Sequence, residues 1–343
     1  MKTLNKLHKG DKIAVLSPSF AAPGKWPKVY ELGLRRLREV FDLEPVEFPT
    51  TKKIGASKDE RAKDLIAAFE DKEIMAVISS IGGDDQVTYI KDLPIEPFIN
   101  NPKPFFGYSD NTHFMNFLWT NGIPSFYGGA LFTQFAEQGQ INDYTLKYLK
   151  LALFEQGEFE IKSSKNYNDI GLDWNNPDNL MKQRFYESND GWVWDGSNNA
   201  EGITWGGCVE SVDELLRHAI TIPSLKDFEN IILLTETSEE IPTVNYVYRV
   251  YRALGERGIL ERIKGILVGR PKAWEFDKQN NKEIKHKYRE EQREMILDIV
   301  RKYNQLIPVI QNLDFGHSDP QIPMPYGTIA KIDSSNRKIF VNF

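Results

Sequence analysis

A chain of 343 residues exceeds one small core, and at roughly 100–200 residues per domain two domains are expected. An apolar fraction of 41% and a charged fraction of 27%, with 24 Gly and 18 Pro, exclude collagen-like, coiled-coil and wholly disordered chains. The net charge of −6 argues against a large nucleic-acid footprint, and the apolar runs, such as Ile13–Leu16 and Ile231–Leu234, are far too short for a membrane span.

Short apolar runs alternate with amphipathic segments through the first half. Lys12–Ser17 reads as a strand stopped by Pro18. Residues 28–41 place Val29, Leu32, Leu37, Val40 and Phe41 near helical spacing. Leu43–Phe48 reads as a second strand, and Ser57 with Glu60 as a capping box opening a helix to Glu70. Strands at Ile74–Ser80, Lys103–Tyr108 and Ser125–Tyr127 follow, with helices over 110–120 and 144–154. This alternation predicts an α/β fold with a mostly parallel sheet, helices on both faces, and sites at the carboxyl ends of its strands. Residues 163–200 show neither period and are rich in Asn, Asp, Ser, Gly and Trp, and we read them as an ordered crossover with a binding loop.

The second half opens with a strand at Ile203–Val209 and a helix at Ser211–His218. A buried strand at Asn230–Thr235, a helix at Val244–Leu254 and a strand at Lys264–Val268 come next. Residues 272–286 read as a polar surface excursion. A helix at Tyr288–Tyr303, a strand at Ile307–Ile310 and a hairpin of Thr328–Asp333 with Lys338–Asn342 complete a mixed α/β domain. The expected division is 1–162, a crossover at 163–200, and 201–343. The N-terminus lacks the apolar run of a secretory signal, and a single cysteine, Cys208, excludes an internal disulfide; a cytoplasmic protein is expected.

Phe105-Phe106-Gly107-Tyr108-Ser109-Asp110-Asn111 is the sharpest local signal. A nucleophilic serine needs a tight strand-to-helix turn with a small residue two places before it, which Gly107 supplies; Asn111 departs from the G-x-S-x-G pattern. The competing reading has Ser109 as a helix cap. Gly82-Gly83 closes another strand and offers amides for an oxyanion, with the Asp110 amide as partner. Among five histidines, His8 and His286 read as surface, His218 and His113 as helical, and His317, on a Gly-flanked loop after a strand, as the better base. Its orienting acid is Glu236, Glu239 or Glu240, and spacing does not choose. No H-E-x-x-H or paired Cys/His spacing suggests zinc, Asp84, Asp85 and Asp110 make only a weak magnesium set, and no cofactor is expected.

The segments SSIGGDD (79–85), FFGYSDNT (105–112), WGGCVESVDELL (205–216), ILLTETSEE (232–240), GILVGRP (265–271) and FGHSDPQIPMPYG (315–327), in this order, resemble the LD-carboxypeptidase family of serine peptidases, and within it the microcin C self-immunity branch. The resemblance implies a catalytic triad of Ser109, Glu236 and His317 divided between two domains, with the Gly83 and Asp110 amides as oxyanion hole. It implies an interdomain cleft that takes a small peptide or peptidyl-nucleotide. Where many relatives have Asn after the paired glycines, this chain has Cys208. Gly82, Cys208, Trp192 and Trp194 are candidate substrate contacts, the tryptophans by stacking on a nucleobase or, alternatively, by interdomain packing. The competing activities are trimming of a murein tetrapeptide and ligand binding without turnover. A homodimer without nucleic-acid or membrane partners is expected.

Overall fold

The apolar run at 13–16 is buried on both faces, as a strand in a parallel sheet must be. In the computed structural model, which describes residues 1–343, it forms β1 (Lys12–Leu16). A short α1 (Ala22–Lys25) leads into α2 (Pro27–Phe41), which buries Val29, Leu32, Leu37 and Phe41, while Val40 turns outward at 40% exposure. After β2 (Glu44–Glu47), Ser57 and Glu60 form the reciprocal capping box that starts α3 (Lys58–Glu70), a cap worth about 1 kcal/mol. There follow β3 (Ile74–Ser79), α4 (Glu96–Asn100), β4 (Phe105–Gly107), α5 (Thr112–Thr120), β5 (Ser125–Tyr127) and α6 (Asp143–Phe154).

Beyond α6 come β6 (Glu158–Ile161), a two-stranded ribbon of β7 (Asn166–Tyr167) and β8 (Glu187–Ser188), and β9 (Val193–Asp195). The second half runs β10 (Ala200–Cys208), α7 (Val209–His218), β11 (Ile231–Glu236), α8 (Val244–Glu256), β12 (Gly265–Gly269), α9 (Lys282–Tyr303), β13 (Val309–Leu313), β14 (Met324–Tyr326), β15 (Ile329–Asp333) and β16 (Lys338–Asn342). No helix is long and apolar enough to cross a membrane.

Two sheets result. The first has the order β14-β5-β4-β3-β1-β2 and is parallel except for β14; the second has the order β6-β16-β15-β10-β11-β12-β13-β9, with β10 to β13 parallel. Two short strands cross between the halves: β6 pairs with β16 in the second sheet, and β14 pairs with β5 in the first. One continuous apolar core runs through both. Residues 282–286, expected as part of a surface excursion, are the first turns of α9. Asn281 caps that helix by accepting the Ile284 amide at 2.9 Å, and Lys285 turns inward, where its ammonium lies 2.9 Å from Asp169.

The halves meet where α5 packs on β10. Trp119 donates its indole N–H to the Thr204 carbonyl at 3.1 Å, Trp205 donates to Asn116 at 2.5 Å, and the Cys208 amide donates to the Thr112 hydroxyl at 3.3 Å. At Gly207, with φ +130, a Cβ would lie 2.5 Å from the Thr112 methyl, so the approach requires glycine.

The crossover at 163–200 is held by ionic anchors. The Asp314 carboxylate pairs with Arg270 and accepts the Ser164 hydroxyl at 2.6 Å, the Ser164 amide at 3.0 Å and the Trp192 indole N–H at 3.0 Å. Arg270 and Asp314 side chains are 1% and 0% exposed, so removing one strands the other without water. Asp314→Ala is therefore expected to destabilise the protein by roughly 3–5 kcal/mol in urea unfolding and to shift the Trp192 emission to the red. A loss below about 1 kcal/mol, the range of a surface pair, would contradict this reading.

Candidate active site

The first sheet delivers Ser109 at the end of β4. Gly107 has no room for a side chain: a Cβ there would lie 2.8 Å from the Ser79 hydroxyl and 3.0 Å from Asn111. Ser109 takes φ +63, the left-handed region that a non-glycine residue adopts at some cost, and no side-chain cap bond ties its hydroxyl to the helix behind it. The turn is stiffened from behind. Asn111 donates to the Ile81 and Tyr108 carbonyls at 3.3 and 3.0 Å and accepts from Gln86 at 2.7 Å.

Gly82-Gly83, after β3, lies against this turn. A Cβ on Gly82 would sit 2.9 Å from the Ser109 Cβ; one on Gly83, with φ +153, would sit 2.1 Å from the Ser19 hydroxyl. The Gly83 N–H has no protein acceptor. The Asp110 carboxylate accepts the Asp85 and Gln86 amides at 3.1 and 3.0 Å, which binds the glycine loop to the serine turn. Asp110 is thereby committed within the fold, and Asp85 pairs with Arg61, so the Asp84, Asp85 and Asp110 set does not converge as ligands. A cavity of about 230 Å³ opens beside this loop, lined with Ser19, Lys53, Arg61, Asp84 and Asp85 among others.

From the second sheet, Glu236 ends β11 and His317 follows β13. The imidazole Nδ1 lies 2.7 Å from Glu236 Oε2, and Nε2 lies 3.0 Å from Glu239 Oε2. The second nitrogen thus faces Glu239, and the Ser109 hydroxyl makes no hydrogen bond to it. Burial alone would push the His317 pKa down, but the two carboxylates raise it to about 10. His113 points away from Ser109, onto Glu214 at 2.9 Å, and the ring of His218 accepts the Ile220 amide at 2.9 Å.

Cys208 is buried behind this pair. Its thiol donates to Glu210 Oε2 at 3.1 Å, and burial next to Glu210 and Glu236 pushes its pKa well up. Cys208, Glu236 and His317 are the one set of metal-ligating types that converges, within 4.8 Å, but the thiol and imidazole already have protein partners. The tryptophans of the crossover pack. Trp192 is anchored on Asp314, Trp194 sits in β9 opposite Ile310, and Trp174 stacks edge-on with Trp26 at 5.0 Å and Phe132 at 5.4 Å. Glu210 and Tyr127 were not singled out from sequence. Tyr127 reads as one more core aromatic, yet its hydroxyl donates to Glu236 Oε1 at 2.6 Å.

Known proteins of a single family match both halves of the chain. The model of the LD-carboxypeptidase N-terminal domain matches residues 13–128, and that of the LD-carboxypeptidase C-terminal domain matches residues 201–332. The chain belongs to the LD-carboxypeptidase family, a family of serine hydrolases. It is similar to the microcin C7 self-immunity protein MccF of Escherichia coli, 25% identical over 285 residues that cover 82% of this chain and 78% of that one. It is also similar to the putative carboxypeptidase YocD of Bacillus subtilis (strain 168), 27% identical over 337 residues, 96% of this chain and 95% of that one. A crystal structure of an MccF-like protein from Streptococcus pneumoniae in complex with AMP is 30% identical, covers 97% of this chain and 98% of that chain, and superposes with a TM-score of 0.82.

A histidine whose folded pKa is raised contributes stability fully present below the unfolded value and lost as pH rises through the folded one. For His317 that window runs from 6.5 to about 10. A proton NMR titration is expected to find its midpoint near 10, and Glu239→Gln is expected to move it toward 6.5. A midpoint unmoved by Glu239→Gln would contradict the two-carboxylate clamp.

Proposed function

We propose that the chain is a serine amidase working through an acyl-enzyme, with Ser109 as nucleophile, His317 as base and Glu236 as the acid that orients it. The observation that carries this reading is the 2.7 Å contact between His317 and Glu236 beside a serine in a left-handed strand-to-helix turn. Substrate entry displaces Glu239 from Nε2, which lowers the imidazolium pKa so that Nε2 releases its proton to solvent. The neutral nitrogen then takes the Ser109 proton as Oγ attacks the scissile carbonyl. The Gly83 and Asp110 amides stabilise the oxyanion, each donor worth about 3–4 kcal/mol. His317 then protonates the leaving amine, and water, activated by the same imidazole, releases the acyl group.

The preferred substrate class is an aminoacyl or peptidyl group joined by an amide to a nucleotide-like moiety. The likeness to MccF and to an AMP-bound MccF-like protein supports it. So does the polar cavity beside Gly83, with Lys53 and Arg61 in its wall. Gly82 borders the reacting carbon in this reading, and Cys208 lies behind the imidazole. For Trp192 and Trp194, the contacts they make favour packing over base stacking. The division into residues 1–162, 163–200 and 201–343 then describes a nucleophile half, an anchored crossover and an acid–base half.

The test sets a peptidyl-adenylate analogue against a murein tetrapeptide, each followed by mass spectrometry of products. Cleavage of the adenylate analogue at the amide is expected, and Ser109→Ala is expected to lower it by roughly four to six orders of magnitude while the thermal midpoint stays near that of the parent. Preferential cleavage of the tetrapeptide would transfer the chain to cell-wall trimming. Full activity of Ser109→Ala would sink the mechanism.

A further inference from the structure

The Tyr127 phenol lies at the centre of the contact between the halves. It sits on β5, in the same sheet as the turn that carries Ser109, and is fully buried. Its hydroxyl donates to Glu236 Oε1 at 2.6 Å and accepts the Ser109 backbone N–H at 3.3 Å. Burial beside the Glu236 carboxylate pushes the phenol far up, so it keeps its proton and remains a donor. The ring is fixed between Tyr108 and Phe315, both edge-on at 6.2 Å, and Tyr326, stacked at 6.5 Å. One atom therefore touches the main chain of the serine and one oxygen of the acid, whose other oxygen holds His317.

We propose that Tyr127 is a positioning residue for the reaction: its hydroxyl fixes the Glu236 carboxylate so that Oε2 faces His317 Nδ1, and ties that geometry to the backbone of Ser109. The inference rests on the serine-amidase reading above. It differs from a packing role because the contact is made by the hydroxyl, whereas the ring makes the apolar contacts. A carboxylate that loses one of two fixed hydrogen bonds turns about its Cγ–Cδ bond and pairs less well with the imidazole.

Tyr127→Phe keeps the ring and removes the hydroxyl. In the full chain, two readouts are compared with the parent: the His317 midpoint by NMR, and labelling of Ser109 by a fluorophosphonate, resolved into reagent binding and a maximal rate taken on the pH plateau above that midpoint, where the imidazole is neutral in both proteins. The expected result is a downward shift of the midpoint and a maximal rate lower by roughly ten- to hundredfold, with reagent binding changed less than about twofold. Added to Glu236→Gln, the same substitution is expected to lower the rate no further, since it acts through that carboxylate. An unmoved midpoint with an unchanged rate would overturn the proposal. So would a rate loss in proportion to the fraction unfolded, or an equal further loss in the Glu236→Gln background. If the parent itself is not labelled at Ser109, the amidase reading fails, while the His317 midpoint still decides the role of Tyr127.

Discussion

A carboxylate with none of its surface in water is the constraint on which the rest of the structure turns. Glu236 ends β11 with its side chain fully buried, where an ionised acid is costly unless each oxygen is satisfied. One oxygen takes the Tyr127 hydroxyl from the first sheet and the other takes His317 from the second-sheet side. The surrounding glycines follow from this demand. A Cβ at Gly316 would lie 2.4 Å from Glu236 Oε2, and one at Gly269 would lie 2.8 Å from the Glu236 Cβ. The Phe-Gly-His and Val-Gly-Arg motifs are thus the sequence record of a tightly enclosed acid.

Bringing partners for that acid from two sheets requires the halves to share a core. The strand exchanges of β6 and β14, the packing of α5 on β10, and the Asp314 and Asp169 anchors of the crossover all serve this docking. The same acid-rich surroundings set the resting state of the base. With Glu236 on one nitrogen and Glu239 on the other, His317 is an imidazolium at neutral pH and holds no free lone pair. In the proposed reaction, proton transfer from Ser109 waits on displacement of Glu239 and loss of the Nε2 proton to solvent.

Most parallel strands and amphipathic helices were legible from sequence because their signals are local: an apolar run, a helical period, a capping box at Ser57. The strands β6 and β14 were not, since three or four residues, one of them Pro325, acquire strand character only from a distant partner. The start of α9 was hidden because Lys282–Lys287 carries no apolar period and its one inward residue is a lysine. At the site, Gly107 before Ser109 carried real information, and both glycines of the 82–83 pair prove to have no room for a side chain. The choice among Glu236, Glu239 and Glu240 was open from spacing for a physical reason: two of the three touch His317. Tyr127 was invisible because a tyrosine at the end of an interior strand looks like any core aromatic until the partner of its hydroxyl is known.

The central claim is that Glu236 makes His317 competent to activate Ser109. Its most direct measurement is the rate of Ser109 phosphonylation across pH in the parent and in Glu236→Gln, with the adduct mapped by peptide mass spectrometry. The account predicts a single adduct on Ser109, a rate that rises with pH as His317 loses its proton, and a fall of roughly three to four orders of magnitude in Glu236→Gln, which keeps the shape and removes the charge. An adduct on another residue, or a rate in Glu236→Gln equal to that of the parent, would contradict it.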